Sequence, residues 1–131
     1  MNSTSPNAMN SMQRTLTTLG HQEPDRVPLF LLTTQHGARE VGLTIEEYYA
    51  KAENVVEGQM RLLKKCRSDC LYGFFYAAIE TEAWGGSTIL LPDGPPLCGA
   101  PIIRRPEDID SLQAPSVTSA PGLIKVLETI G

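Results

Sequence analysis

Cys66 and Cys70 stand four residues apart, a spacing that is found in one half of some zinc sites. A structural zinc ion requires about four ligands, and the other candidates, Cys98, His21 and His36, are distant in the sequence. Cys66 ends the apolar side of a predicted helix, and Cys70 begins a predicted buried strand. Because free cysteine is among the most often buried residue types, the pattern favours core cysteines, and no residue is assigned as a metal ligand.

Two further polar residues, His36 and Arg39, follow the apolar run 29–32. His36 could contact a substrate or an anionic group, whereas the alternative is a solvated or hydrogen-bonded structural histidine. Arg39 could bind a carboxylate through two parallel hydrogen bonds, and the alternative is an ion pair with Glu40 or Glu46. Both residues are therefore candidate binding residues.

Three apolar runs of strand length would position these side chains, at residues 29–32, 70–75 and 88–91. The first two read as strands buried on both faces, which is typical of a parallel sheet. Helical segments separate the runs, so the order predicts an α/β protein with parallel pairing. The turn-rich segment 92–96 leads to 101–103, which predicts a short hairpin or excursion instead of a further barrel strand.

The predicted helices have clear local signals. Ser11 is the expected cap of a short helix that stops at Gly20, and Thr44 with Glu47 forms a capping box. A longer helix is predicted over 52–67, and shorter ones over 77–84, at Pro106 and from Pro121. The apolar stripe of the long helix comprises Ala52, Val55, Val56, Met60, Leu63 and Cys66, and that of the last helix Leu123, Val126, Leu127 and Ile130.

Composition restricts the class of protein. The net charge of −4 gives no basic surface for nucleic acid or anionic membrane, and no apolar run reaches the roughly 18 residues that span a bilayer. Residues 1–11 are polar, lack the apolar segment of a signal peptide and read as a flexible tail. An odd number of cysteines does not suit a secreted disulfide framework, so we expect a cytoplasmic protein.

The order and spacing of several segments resemble the uroporphyrinogen decarboxylase superfamily over about residues 12–131. These segments are Pro24–Pro28, Gly42–Tyr49, Asp69–Gly85, Pro92–Pro96, Gly99–Ile103 and Pro106–Asp110. The resemblance implies a (β/α)8 barrel with extra N-terminal helices. A complete barrel takes about 250 residues, so we expect this chain to be the N-terminal part of the barrel domain and inactive by itself.

The superfamily includes cofactor-independent decarboxylases of uroporphyrinogen and zinc-dependent enzymes that transfer a methyl group from a corrinoid to a thiol. The decarboxylases carry two arginines after the first strand, where this chain offers only Arg39. They carry an aspartate after the second strand, and the aligned residue here is Tyr76. A neutral phenol cannot supply the negative charge of a carboxylate, so the resemblance favours the methyltransferase branch.

Active sites of such barrels lie at the carboxyl ends of the strands. The resemblance thus implies substrate-binding roles for His36, Arg39, Tyr76 and Glu80, although Tyr76 could equally belong to the core. Glu82 is two residues from Glu80 and is expected to face solvent or cap the helix. Zinc and a methyl-corrinoid are implied for the full-length protein, on residues beyond this chain, with a small molecule or a corrinoid protein as partner.

Two other functions stay open. The full-length protein could be a uroporphyrinogen decarboxylase of tetrapyrrole biosynthesis. Alternatively, the chain could be a non-catalytic protein that self-associates through the exposed edges of its sheet, because two or three strands cannot cover their own edges.

Overall fold

Helices form most of the regular secondary structure in the computed structural model, which describes residues 8–73 and 76–131. Residues 1–7 of the predicted tail, as well as Phe74 and Phe75 of the second predicted strand, lie outside the described residues. In chain order the elements are α1 Ser11–Leu19, α2 His36–Val41, α3 Ile45–Ala50, α4 Ala52–Cys66, α5 Ile79–Ala83, β1 Thr88–Ile89, β2 Leu97–Cys98, a 3₁₀ helix Pro106–Ser111 and α6 Pro121–Ile130.

Helix α1 ends at Gly20 as predicted, but its cap is Asn10 and not Ser11. The Asn10 side chain accepts the Gln13 amide, and the Gln13 side chain accepts the Asn10 amide, so a capping box begins the helix one residue earlier. The apolar residues Met12, Leu16 and Leu19 are exposed, and the buried residue is Arg14. The apolar side of α1 therefore faces away from the described core.

Arg14 belongs to an arginine–aspartate cluster that we define as Arg14, Asp25, Arg26 and Asp69. Both Asp25 oxygens accept from Arg14, at 2.6 and 2.8 Å, and Asp69 accepts from Arg14 and Arg26. The Asp69 side chain is only 1% exposed. Two positive and two negative charges thus neutralise one another and attach α1 and the turn at residues 24–28 to the segment after α4.

The predicted loop around His36 and Arg39 is a helix, α2. Its end is a left-handed residue, Gly42 at φ 72°, and the following Leu43 amide donates to the Ala38 carbonyl at 3.0 Å. Such a glycine satisfies the last carbonyls of a helix without the steric cost of a Cβ. The loop prediction was wrong because a helix this short carries no apolar period of its own.

The capping box of α3 is confirmed. Thr44 Oγ1 accepts the Glu47 amide at 3.2 Å, and the Glu47 carboxylate accepts the Thr44 amide at 2.9 Å. Helix α4 also forms over the predicted residues, but its buried face is rotated from the predicted stripe. Its buried residues are Ala52, Val55, Gly58, Gln59 and Leu62, whereas Val56, Met60, Leu63 and Cys66 are half-buried.

Close packing of α2 on α4 explains this rotation. A Cβ at Gly58 would lie 2.7 Å from the Gly37 carbonyl oxygen, so two glycines allow the backbones to approach. Beside them, the buried Gln59 side chain donates to the Thr34 carbonyl at 2.8 Å and to the Tyr48 hydroxyl at 3.1 Å. These partners satisfy a polar residue that the sequence pattern had placed outside the apolar stripe.

In the described residues 29–32 and 70–73, the first two predicted strands do not form. Residues 29–32 and 70–73 run beside each other, with one backbone hydrogen bond from the Asp69 amide to the Leu29 carbonyl at 2.7 Å. The Asp69 carboxylate accepts the Leu29 amide, and the Ser68 hydroxyl contacts the Leu29 and Cys70 carbonyls. Side chains therefore satisfy backbone groups that a parallel ladder would use, and the predicted parallel pairing is absent from the described residues.

The third apolar run forms a hairpin, as its turn signals indicated, but with a different partner and a shorter strand. Strand β1 pairs antiparallel with β2, so that Thr88 faces Cys98 and Ile89 faces Leu97. The predicted partner, residues 101–103, follows β2 and is not in a strand. After the proline-rich turn the chain therefore pairs with β1 at Leu97–Cys98, earlier than the predicted residues 101–103.

The C-terminal helices complete the core. Helix α5 is shorter than the predicted 77–84, the segment at Pro106 is a 3₁₀ helix, and α6 begins at Pro121 as predicted. Helix α6 packs through Gly122 and Val126, while Leu127 and Ile130 of its predicted stripe are exposed. The largest fully buried side chains are Tyr48, Val55 and Ile79.

Candidate functional site

The four predicted site residues line three separate depressions. His36 and Arg39 share the first, Tyr76 lies in the second and Glu80 in the third. The structure thus brings together only the pair from α2.

The first depression has a volume of about 230 Å³ and lies between α2 and the turn at residues 92–93. His36 and Arg39 are both exposed and lie three residues apart, on one face of the helix. Among the described residues Arg39 forms no ion pair, and Glu40 instead pairs with Lys65 at 2.6 Å. The guanidinium is thus available to an anion from solvent.

Tyr76 lies in the second depression and is buried, with 7% of its surface exposed. Its hydroxyl donates to the Glu82 carboxylate at 2.7 Å, and its ring contacts the Tyr49 ring edge-on at a centroid distance of 5.1 Å. Burial, together with the hydrogen bond and the charge of Glu82, raises the pKa of Tyr76 above its usual value. The phenol is therefore protonated at neutral pH and acts as a hydrogen-bond donor.

Glu82 was expected to face solvent or cap the helix, and it is exposed. Its carboxylate nevertheless lines the second depression, where Oε2 also accepts from the Thr88 hydroxyl at 3.1 Å. Glu80, the predicted binding residue, lies in the third depression. Glu80 and Glu82 line different depressions because residues two apart on a helix face different directions.

Lys125 is a residue of this depression that sequence reasoning missed. Its ammonium donates to the Tyr49 carbonyl at 3.3 Å and lines the same open cavity of about 430 Å³. We call this space the mixed-charge cavity, lined by Glu46, Tyr49, Ala50, Tyr76, Glu82, Gly86, Ser87, Thr88, Leu90 and Lys125. In the sequence, the feature that could have indicated Lys125 is its position as a lone cation inside the apolar segment 123–127.

Glu80 stands at a larger, more apolar depression of about 560 Å³, with Trp84 and residues 98–103 around it. Cys98 lies there as an exposed free thiol, and its sulfur is 3.4 Å from the Thr81 hydroxyl. The mostly apolar lining provides contact area, and its polar side chains are Glu80, Thr81 and Cys98.

The cysteines do not assemble a metal centre in the described part of the chain. Cys66 and Cys70 are free and half-buried, so the prediction of core cysteines holds only in part. Within residues 8–73 and 76–131, no three histidine, cysteine, aspartate or glutamate side chains cluster closely enough to hold an ion. The resemblance placed the zinc ligands on residues beyond this chain, and that expectation stays a prediction.

The comparison with known proteins gives one family. The sequence model of the uroporphyrinogen decarboxylase (URO-D) family matches residues 10–131, nearly the whole chain. This chain belongs to the uroporphyrinogen decarboxylase family. No curated protein and no solved structure matches it significantly.

Membership of the uroporphyrinogen decarboxylase family agrees with the segments from which the resemblance was inferred. The family's domain is a TIM barrel, and the described residues form a small mixed helix-and-strand unit. No helix among them is both long enough and apolar enough to cross a membrane. The family match does not distinguish decarboxylation from methyl transfer.

Chemically, the mixed-charge cavity presents hydrogen-bonding and charged groups. At position 76 it presents a neutral donor, whose hydroxyl forms a hydrogen bond to the Glu82 carboxylate. Arg39 is a cation in a different depression. None of these groups contacts another as a nucleophile–base pair within the described residues.

Proposed function

We propose that this chain is the N-terminal part of a zinc- and corrinoid-dependent methyltransferase of the URO-D family, which transfers a methyl group from a methylated corrinoid to a thiol. By itself the 131-residue chain is inactive under this proposal. The zinc ligands belong to later parts of the barrel, and the thiol is the substrate that accepts the methyl group.

The observation that carries the proposal is the state of Tyr76. A decarboxylase of this family needs a carboxylate here to stabilise positive charge on a pyrrole intermediate. Tyr76 is instead buried and protonated, and its hydroxyl donates a hydrogen bond to the Glu82 carboxylate at 2.7 Å. The Tyr76 hydroxyl is a neutral donor that points at the Glu82 carboxylate, so it supplies no negative charge to stabilise a developing cation.

The lack of a second arginine beside Arg39 also supports the methyltransferase branch. Two guanidinium groups after the first strand would hold substrate carboxylates in a decarboxylase. Only Arg39 is available here, and it lies in a depression apart from Tyr76. Arg39 and Tyr76 thus do not face a common space, as the corresponding groups of a decarboxylase would.

Bound zinc would lower the pKa of a thiol and present it as a thiolate. The described residues do not provide its ligands. Within this chain the proposal assigns binding roles alone: an anion-binding role to Arg39 and His36, and a pocket-wall role to Tyr76.

Metal analysis of the longer protein tests the proposal. We expect zinc in an amount equal to the protein, retained after dialysis and lost with a strong chelator. The 131-residue chain, treated in parallel, should retain none. A longer protein that is folded and free of zinc would contradict the proposal.

A second candidate is a non-catalytic chain that self-associates. Large apolar side chains such as Phe30, Leu32 and Leu71 are exposed along segments that lack a strand ladder. Exposed apolar strand-like segments can pair with another copy. Sedimentation of the 131-residue chain would show concentration-dependent dimers under this candidate, whereas a persistent monomer would exclude it.

A further inference from the structure

Opposite charges face the mixed-charge cavity without neutralising each other. Lys125 comes from α6, Glu82 from α5 and Glu46 from α3, and all three line the same space of about 430 Å³. Among the ion pairs of the described residues, none joins Lys125 to either carboxylate. A cation and an anion that share a cavity but stay apart leave room for a bridging molecule.

The protein holds two of these charged groups in place. Glu82 Oε2 accepts from the Tyr76 hydroxyl at 2.7 Å and the Thr88 hydroxyl at 3.1 Å. One N–H of Lys125 donates to the Tyr49 carbonyl at 3.3 Å. Within the described part of the chain, Glu82 Oε1 and the other two Lys125 N–H groups have no further partner, so both ends retain hydrogen-bonding capacity.

Apolar surface completes the cavity. Leu90 and Ala50 line it together with the charged groups. A short methylene chain could contact these side chains while its two ends meet opposite charges. Each end would form a charge-assisted hydrogen bond, which is stronger than a neutral one.

We propose that the mixed-charge cavity binds a small zwitterion, an ω-amino acid whose ammonium is accepted by Glu82 and whose carboxylate accepts from Lys125. Methyl transfer is not required for this binding, so the inference goes beyond the proposed function. Because the cavity is open to solvent, which screens the charges, we expect weak binding with a Kd of about 1 mM.

Titration of the isotopically labelled 131-residue chain, followed by two-dimensional NMR, tests the ligand class. The probes are glycine, β-alanine, 4-aminobutyrate and 6-aminohexanoate, with butylamine and butyrate as single-charge analogues. We expect one chain length to bind best and both analogues to bind about tenfold more weakly or less. The shifted amides should lie in α5, β1 and the first two turns of α6.

Variants test the two contacts separately. Lys125→Met and Glu82→Gln should each weaken the best zwitterion about tenfold, whereas Lys125→Arg should retain binding. Glu128→Gln on the same helix and Lys64→Met on α4 are the controls and should bind like the parent chain, with circular dichroism reporting the fold of each variant. Absence of shifts with every probe, equal binding of butyrate, or unchanged binding by a folded Lys125→Met chain would overturn the proposal.

Discussion

Asp69 joins parts of the chain that are distant in sequence. Its buried carboxylate accepts the Leu29 amide at 2.8 Å and pairs with Arg14 and Arg26. Burial alone would raise its pKa, but the hydrogen bonds from Leu29, Arg26 and Arg14 outweigh that effect and lower the pKa to about 2. At Asp25, the hydrogen bond from Arg14 has the same result, a pKa of about 2.

These low pKa values predict acid sensitivity. Because the folded-state pKa lies below the unfolded value of 3.8, the ionised carboxylates contribute their full stabilisation above that pH and lose it as pH falls toward 2. We expect urea midpoints to decrease over this interval. Asp69→Asn should lower the midpoint at pH 7 and flatten the decrease, whereas the exposed control Asp93→Asn should change neither. A parent-like acid profile in Asp69→Asn would contradict the role of the cluster.

Individual site residues were only partly predictable. The family resemblance selected Tyr76 as a candidate, and the spacing along one helix correctly predicted that Glu80 and Glu82 face different directions. The sequence could not indicate which glutamate would meet Tyr76, because that depends on how α5 packs. Lys125 lies 49 positions after Tyr76 in the chain, so only tertiary structure brings it to the same cavity.

Elements determined by local interactions were predicted well. The capping box at Thr44 and Glu47, the glycine end of α1 and the extent of α4 all depend on contacts within a few residues. Strands depend on neighbours, and residues 29–32 lack a ladder in the described structure. The interpretation of this apolar run as a buried strand is therefore wrong for the described structure, because an apolar pattern alone does not supply a pairing partner.

The close crossing of α2 and α4 predicts that a larger residue at Gly58 destabilises the protein. Gly58→Ala would place a Cβ 2.7 Å from the Gly37 carbonyl and 2.8 Å from the Tyr48 ring, so the helices must separate. We expect the free energy of unfolding to fall by about 1–3 kcal/mol, as for other overpacked interiors. Lys64→Ala, exposed on the same helix, should stay within about 0.5 kcal/mol of the parent chain. Chemical denaturation measures both, and equal stability of Gly58→Ala would contradict the close crossing.

At the scale of the whole molecule, much apolar surface lies outside the core. The apolar side of α1, the segments 29–32 and 71–73, and the end of α6 all expose large apolar side chains. The family's barrel fold supplies a physical reason, because in a barrel such segments would be strands and helices covered by neighbours. The exposed side chains support the proposal that further barrel structure packs here.

Hydrogen exchange tests that proposal. In the 131-residue chain the amides of Phe30, Leu31 and Leu32 have no backbone acceptor among the described residues, so we expect them to exchange fast. In the longer protein the same amides should be protected strongly by a strand ladder. The Val55 and Gln59 amides within α4 serve as controls and should be protected in both. Fast exchange at Phe30–Leu32 in both proteins would exclude a barrel strand at this position.

The most direct test of the functional account is a competition between the two chemistries of the family. The longer protein, loaded with zinc, is supplied in one series with methylated corrinoid and a thiol and in another with uroporphyrinogen. Because Tyr76 offers a neutral donor where a decarboxylase needs a carboxylate, we predict methylated thiol and no coproporphyrinogen. Coproporphyrinogen formation without thiol methylation would contradict the account.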